Sequence, residues 1–367
     1  MTATAPDWDR FGQWGRGPAR LMLAVVLLIL AIAAVTPPPD SQTGEPAGVP
    51  SITGDNPDRP RDDDLTLYDN VVERLQGGEH YYDVIAEEHR KLPFPLKPGL
   101  AVRPPTLAYI LAYVGEDGMI PIGLVLMALT VWAWWRRFGD EPGGGQFRLV
   151  GCALVLVGVS LGLARYFFAM HELWAGILVA LALGLHRPGR WGWSFAVLAL
   201  ALAIRETVLP VVLLLGAMAF WRRDWKEGAA WSAVAVLFAV ALAVHLHIIA
   251  GLARPEDPEG PAWLVLRGLQ GWIGNIVLSS NLRWLPNLVS GPLVFLMILG
   301  WAGWKTPAGR TLTFFSLGYG LAFMIGGRNE NFYWGMVVAP AMFAGLAMAP
   351  MALRSIWRSA FPNVSAP

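Results

Sequence analysis

The chain is poor in charge and almost devoid of cysteine. Only 15% of its 367 residues are Asp, Glu, Lys or Arg, against about 25% in water-soluble domains. The 28 basic and 27 acidic side chains nearly cancel, to a formal net charge of +1. The basic residues fall in small clusters between apolar runs and form no patch, which argues against nucleic acid as a partner. Cys152 is the single cysteine, set inside an apolar run. That excludes an intrachain disulfide and a cysteine-based metal site. What the chain has instead is apolar mass: 55% hydrophobic residues and 18 Trp. The apolar runs recur along the whole sequence and approach the ~20 residues that cross a bilayer. These features predict an all-α polytopic membrane protein.

The first run, "LMLAVVLLILAIAAV" (Leu21–Val35), follows Arg10, Arg16 and Arg20. Its "AIA" also resembles a cleavage site for a signal peptide, but the many later runs favour a retained first span. A Pro-, Gly- and Asp-rich stretch, "TPPPDSQTGEPAGVPSITGDNPDRPRDDD", opens a hydrophilic region lasting to about Arg103. Within it, Leu65, Tyr68, Val72 and Leu75 recur at helical spacing behind Asp64, a candidate N-cap. Tyr82, Ile85 and His89 repeat the pattern, so two amphipathic helices lying on the membrane face are expected. "PPTLAYILAYV" is too short to span and reads as an interfacial helix. Further spans are expected at about 119–136, 148–164, 172–186, 192–204, 207–221, 229–249, 287–304, 311–326 and 332–352, about ten with the first. The expected organisation is a cytoplasmic tail over 1–20, a transmembrane helix over 21–36 and an extracytoplasmic loop over 37–118. A transmembrane bundle over 119–352 and a cytoplasmic tail over 353–367 complete it. No internal repeat is evident, and Gly143–Gly145 lacks the Lys-Ser/Thr of a phosphate-binding loop.

The run Ser194–Trp221 carries Arg205 and Glu206 near its middle. As one helix of 28 residues it would be about 42 Å long, against a hydrocarbon core of ~30 Å. It would also hold a centred Arg, at a cost of about 2.5–3.5 kcal/mol. As a hairpin it places Arg136/Arg137, Arg187/Arg190, Arg222/Arg223/Lys226, Lys305/Arg310 and Arg354/Arg358 all on the side of the N-terminus. The positive-inside rule favours the hairpin. Its tip then lies recessed below the outer surface, where a charged pair needs a partner or a water-filled cavity.

The opposite ends of the spans collect the unusual residues. Arg165, His171 and Glu172 lie at one junction, Arg205 and Glu206 at the tip, and Arg328, Asn329, Glu330 and Asn331 at the entry to the last span. Three arginines at outer junctions need compensation from carboxylates or from an anionic ligand. Each feature also has a plain structural alternative. Arg205–Glu206 can serve helix packing, Asp64 a helix cap, and Asp62 and Asp63 a solvated loop. His171–Glu172 lacks the second His of a zinc motif, and His245 and His247 face different sides of a helix. Tyr81, Tyr82, Phe332 and Tyr333 fit an aromatic belt.

The layout "DLTLYDNVVERLQGGEHYY", then "VRPPTLAYILA", then "LALAIRETVLPVVLL" and "NFYWG" resembles the GT-C class of membrane glycosyltransferases, polyprenyl-phosphate-mannose-dependent mannosyltransferases among them. The likeness of layout runs to about Met348, through short motifs. It implies a GT-C-like bundle of about ten helices with a long first extracytoplasmic loop carrying interfacial helices. It also implies transfer of mannose or another hexose or pentose from a polyprenyl-phosphate donor to an acceptor hydroxyl on a lipid, glycan or protein. The reaction would invert the anomeric centre, in a bacterial-type inner or plasma membrane with the site on the extracytoplasmic side. Asp64 and Tyr68 take the acid and Tyr positions of the motif, and Arg103 leads into the interfacial helix. Many members carry two acids flanking one residue near the first span; here the acids come about 27 residues after it, leaving Asp62, Asp64 and Asp69 as alternatives.

On this reading Asp64, then Asp69, is the candidate base. Arg205 and Arg328, with Arg165 behind them, are candidates for the phosphate, because a guanidinium fork stays charged and donates bidentate bonds. Glu206, Asn331, His171, Glu172, Tyr68 and Arg103 complete the candidate substrate-binding set. No cofactor is required, although carboxylates can hold a divalent cation such as Mg or Mn. The alternative is a transporter or lipid flippase with an intramembrane Arg-Glu site. A third reading is a structural subunit in which that pair only packs helices.

Overall fold

A computed structural model describes residues 5–39 and 62–362. Most of the Pro-, Gly- and Asp-rich stretch, together with the ends of both tails, lies outside the described residues. Among the described residues the chain is all-helical, with only isolated β-bridges. In chain order the helices are α1 (Arg16–Val35), α2 (Asp63–Gln76), α3 (Tyr81–Lys91), α4 (Thr106–Val114), α5 (Glu116–Asp140), α6 (Arg148–Val159), α7 (His171–Leu185) and α8 (Gly192–Ile204). There follow α9 (Leu209–Trp221), α10 (Trp225–Leu252), α11 (Gly268–Leu278), α12 (Asn287–Gly303), α13 (Pro307–Ile325), α14 (Ala339–Met342) and α15 (Ala349–Ala360).

Four stretches are long and apolar enough to cross a membrane: Arg16–Val35, Glu116–Asp140, Gly144–Gly162 and Trp225–Leu252. A fifth is added if Ala339–Ala347 and Ala349–Ala360, bent by 51°, are counted as one. Helices α7, α8 and α12 are apolar but shorter. α1 packs on α12 and α15, so it belongs to the bundle. Three boundaries differ from expectation. α11 was not anticipated, because the Gly and Asn in "GLQGWIGNIVL" interrupt its apolar run. The last expected span is broken into 3-10 segments and short helices that begin at prolines, Pro340 and Pro350. The region from 353 is helical to Ala360 and docks on α1 and α12.

The basic clusters converge on one end of the bundle through direct bonds. Lys305 N donates to Trp8 O (2.8 Å) and Arg10 N to Gly303 O (3.0 Å). Trp304 Nε1 donates to Pro142 O at 2.8 Å, and Ala308 N to Glu141 Oε1 at 3.2 Å. Arg187 meets Asp140 at 3.3 Å, while Glu227 meets both His186 and Arg222 at 2.8 Å. The hairpin explains the last pair. Trp231 of α10 packs at a tilt against Phe195 near the start of α8 (5.3 Å), and its Cβ lies 3.2 Å from the Cβ position of Gly216 in α9. Both arms therefore return to the basic end, and Arg205 is at the far tip, where φ −146° and ψ 120° interrupt the helix.

α7 is the axis of the bundle, with all but its last residue buried. Gly176 permits this: a Cβ there would fall 2.0 Å from the Met336 carbonyl oxygen. Small residues that let backbones approach are the usual means of helix packing where lipid removes the hydrophobic drive. At 15 residues, α7 rises only about 22 Å. The 28-residue α10 rises about 42 Å. Its far part holds the loop helices: His245 Nδ1 pairs with Tyr82 Oη at 3.0 Å and His245 Nε2 with Val102 O at 3.1 Å. α2, α3 and α4 thus form a layer above the recessed ends of α7, α8 and α9.

Candidate functional site

The loop layer has its own core of Leu67, Val71, Leu75, Tyr81, Val84 and Ile85. Leu65 and Leu75 of the expected stripe are buried, but between them the stripe is rotated: Leu67 and Val71 are inside, while Tyr68 and Val72 are only half-buried. The rotation turns Tyr68 toward the bundle, where its ring packs edge-on against His171 at 5.0 Å. Asp64, four residues earlier, shares that helix face. Asp64 is not the N-cap. Asp62 holds that position, and no side chain caps the helix. The Asp64 carboxylate is therefore not spent on capping its own helix.

Arg103 is placed by its backbone. Tyr81 Oη donates to Arg103 O at 2.6 Å, and Arg103 N donates to Tyr68 Oη at 3.3 Å. Pro104 and Pro105 stiffen the segment that follows. From there the guanidinium reaches into the recess. Its Nη2 lies 3.2 Å from Tyr333 Oη and 3.6 Å from Glu172 Oε1.

Glu172 joins two arginines. Arg205 Nε donates to Glu172 Oε1 at 2.6 Å, and Arg205 Nη1 donates to Glu206. Both Glu172 and Arg205 are buried, while Glu206 keeps 20% of its side chain exposed. A buried charge persists only when paired and hydrogen-bonded, and each of these is. His171 lies beside them, its ring against Tyr68 and its Nε2 buried and unpartnered. Glu172 also sits in the first turn of α7, where the helix dipole favours a carboxylate.

Asp64 faces this network from the loop layer. Its side chain is solvent-exposed, yet protein surrounds it closely enough that desolvation raises its carboxyl pKa. Arg103 opposes that shift, and Glu172, Asp62 and Asp63 add to it. Water thus reaches the Asp64 carboxylate while protein packs around it. Burial works against the charge of Arg103, but Glu172, Tyr333, Tyr68 and Glu206 outweigh it and hold its pKa well above the usual value.

The remaining candidates divide. Asn331 donates to Tyr333 Oη at 3.2 Å and accepts from Arg328 N at 3.0 Å, which ties the last segment to Arg103. Arg328 is 3.7 Å from Glu330 at the rim. Arg165 pairs with Asp117 at 2.7 Å on an exposed surface, and none of its bonds reach the network. Asp69 follows Tyr68 by one residue, about 100° round α2 from it. All three outer arginines expected to need compensation have a carboxylate: Arg165 has Asp117, Arg205 has Glu172 and Glu206, and Arg328 has Glu330. The same pairing engages Arg205 with two carboxylates at 1% exposure. Arg103 is the more available cation.

The aromatic-belt expectation fails for two residues. Tyr81 is fully buried, and Tyr333 belongs to the polar network. Only its place two residues after Asn331 in "NENFYWG" linked Tyr333 to the site in sequence. Among the described residues no group of three or more His, Cys, Asp or Glu is arranged to hold a metal ion. No family model, curated protein or solved structure matches the chain.

Proposed function

We propose that the chain is an integral membrane glycosyltransferase that moves a hexose or pentose from a polyprenyl-phosphate donor to an acceptor hydroxyl. The observation that carries this reading is Asp64: an exposed carboxylate facing a buried Arg–Glu network that is already charge-paired. With the basic end assigned to the cytoplasm by the positive-inside rule, the recess opens extracytoplasmically. The four or five long spans, supplemented by the shorter apolar helices, then form a GT-C-like bundle of about ten crossings in an inner or plasma membrane.

In the proposed reaction the acceptor oxygen attacks the anomeric carbon as its proton passes to the Asp64 carboxylate. The bond from that carbon to the phosphate oxygen breaks, and its electron pair leaves with the phosphate. Such a base contributes about 10²–10⁴-fold in rate. Arg103 suits the departing phosphate, because a guanidinium in a water-poor site stabilises charge as it develops. Arg205 acts through Glu172 and Glu206, fixing where their oxygens sit. Those carboxylates, with Tyr333 and Asn331, supply hydrogen-bond partners for sugar hydroxyls. One displacement inverts the anomeric configuration. No step calls for a metal, and a divalent cation stays compatible with the carboxylates of the recess.

The test is radiolabel transfer from a panel of polyprenyl-phosphate sugars in membranes expressing wild type, Asp64→Asn and Arg103→Gln. Label transferred by wild type and lost in Asp64→Asn at equal protein level supports the reading. Full activity in Asp64→Asn with loss in Asp69→Asn moves the base to Asp69. Donor binding indifferent to Arg103, together with substrate flux across sealed vesicles, replaces the transferase with a transporter.

A further inference from the structure

A second polar cluster lies at the rim, around the start of α11, and the proposed chemistry does not use it. Arg267 precedes α11 and folds back along its first turn, with Nε against Gly271 and Nη1 donating to Asn275 Oδ1 at 2.9 Å. Its Nε and Nη2 are buried without a partner, and among the described residues no carboxylate lies within ion-pair distance of it. Asn275 is fully buried, and its Nδ2 is also unpartnered. Next to it, Arg328 has a buried, unpartnered Nε, and Trp334 a buried, unpartnered indole N–H. Gly327 joins these groups. Its φ of +85° favours glycine, and a Cβ there would meet Trp334 at 3.0 Å and Arg267 Nη1 at 3.4 Å.

Every unsatisfied atom in this group is a donor. A buried donor left without an acceptor is destabilising, and Arg267 adds a cation at the positive end of a helix, an unfavourable place for it. Glu330 is the nearby countercharge, but it is 52% exposed and 3.7 Å from Arg328. These donors match a compact anion with several acceptor oxygens.

The preceding loop points to where that anion comes from. Gly327 N donates to Trp263 O at 2.7 Å and Arg267 N to Met324 O at 2.8 Å, so residues 263–267 are clamped onto the end of α13. Leu264 and Leu266 nevertheless stand 85% and 83% exposed. Two fully presented leucines beside a donor-only pocket suit the interface of a bilayer, where acyl chains cover the leucines and headgroups meet the arginine.

We infer that Arg267, Asn275 and Arg328 bind the phosphate of a membrane lipid, with Leu264 and Leu266 seated in the leaflet beside it. Among the described residues the site shares no donor with the Arg103–Glu172–Arg205 network, and hydrogen bonds through Asn331 and Tyr333 connect the two. It rests on the chain being membrane-embedded and does not require transferase activity. A prenyl phosphate and an anionic phospholipid present the same chemistry, and the measurement separates them.

The test is equilibrium binding of tritiated farnesyl phosphate to the full chain in neutral detergent, carried out in an Arg103→Gln background so that the proposed donor site does not contribute. Farnesol, inorganic phosphate and phosphatidylglycerol serve as competitors. Binding is expected to weaken at least tenfold in Arg267→Gln and severalfold in Arg328→Gln, a half-exposed position that keeps the test open if Arg267→Gln fails to fold. Leu264→Ser/Leu266→Ser is expected to weaken farnesyl phosphate binding and leave inorganic phosphate competition unchanged. Stronger competition by phosphatidylglycerol than by unlabelled farnesyl phosphate identifies a bulk phospholipid, and the reverse order a prenyl phosphate. Unchanged binding in Arg267→Gln, or in Arg328→Gln if only that variant folds, overturns the inference, as does competition by farnesol equal to that by farnesyl phosphate. Loss of label transfer in Asp64→Asn reports separately on the proposed function.

Discussion

Two buried arginines occupy opposite ends of the bundle and are satisfied in different ways. At the basic end, Arg137 is fully buried and donates to the backbone carbonyls of Leu183 and His186, with Glu141 at 3.4 Å. At the loop end, Arg205 meets only carboxylates, Glu172 and Glu206. Carbonyls at the end of α7 lock Arg137 to that helix terminus, as expected for a cation at a helix C-terminus. Carboxylates leave the loop end rich in acceptors. There Arg103 and Arg205 face Glu172 and Glu206, and Asp64 stands outside that balance. The first arrangement holds helices together. The second holds charge in place close to water.

Several measurements would break or sharpen that contrast. The largest effect is expected for Asp64→Asn: transfer falls about 10²–10⁴-fold, with little change in thermal stability because the exposed carboxylate pairs with nothing essential. Equal losses of activity and stability would erase the distinction between the two ends. The converse case is Arg137→Met, which leaves Glu141 and two carbonyls without their donor. Removing one partner of such a buried pair costs about 3–5 kcal/mol. Detergent melting curves should show that loss, while activity per folded molecule holds.

A double replacement separates packing from positioning at the loop end. Arg205→Met with Glu172→Leu should destabilise by less than the sum of the two single changes, since the bond they share is lost once, while Arg103 is left without Glu172. Activity should still be lost, because Arg103 and Glu206 each lose a neighbour. An active double variant would make the network structural.

The next effect is in pH dependence. Desolvation raises the Asp64 pKa and Arg103 opposes it. The acid limb of the rate profile should therefore lie above the ordinary Asp value of ~3.9, and Arg103→Gln should move it further to higher pH. For stability the sign is opposite to that of an ion-paired carboxylate. With the folded pKa raised, the contribution of Asp64 is full at low pH and is lost as pH rises through that pKa. The smallest effect belongs to Arg165→Gln. Its partner Asp117 is 89% exposed, and such surface pairs contribute about 0–1 kcal/mol, so neither activity nor melting should move appreciably.

Much of this was legible in the sequence. The hairpin followed from the cost of a centred arginine and from the side on which basic clusters would fall, and Trp231 shows both arms returning to one end. Asp64, Tyr68, Arg103, His171, Glu172 and Arg205 were picked out from separate segments and do meet. The cap assigned to Asp64 and the belt role of Tyr333 did not hold. The cap is a local shift of two residues, whereas the pairings at the loop end join remote segments: Glu172 is 33 positions from Arg205, and Tyr333 is 230 from Arg103. The Arg267 cluster left no trace, because an arginine before a short glycine-interrupted helix resembles any interfacial charge.

By itself the sequence determined that the chain is helical and apolar, that its basic clusters share one end, and that charge inside the apolar runs needs a partner. Those follow from local quantities: run length against bilayer thickness, and the cost of a charge in lipid. Only the tertiary structure decided which carboxylate neutralises which arginine and which is left over. Pairing acts over a few ångströms between segments far apart in the chain, and a half-turn rotation of one amphipathic helix reassigns it.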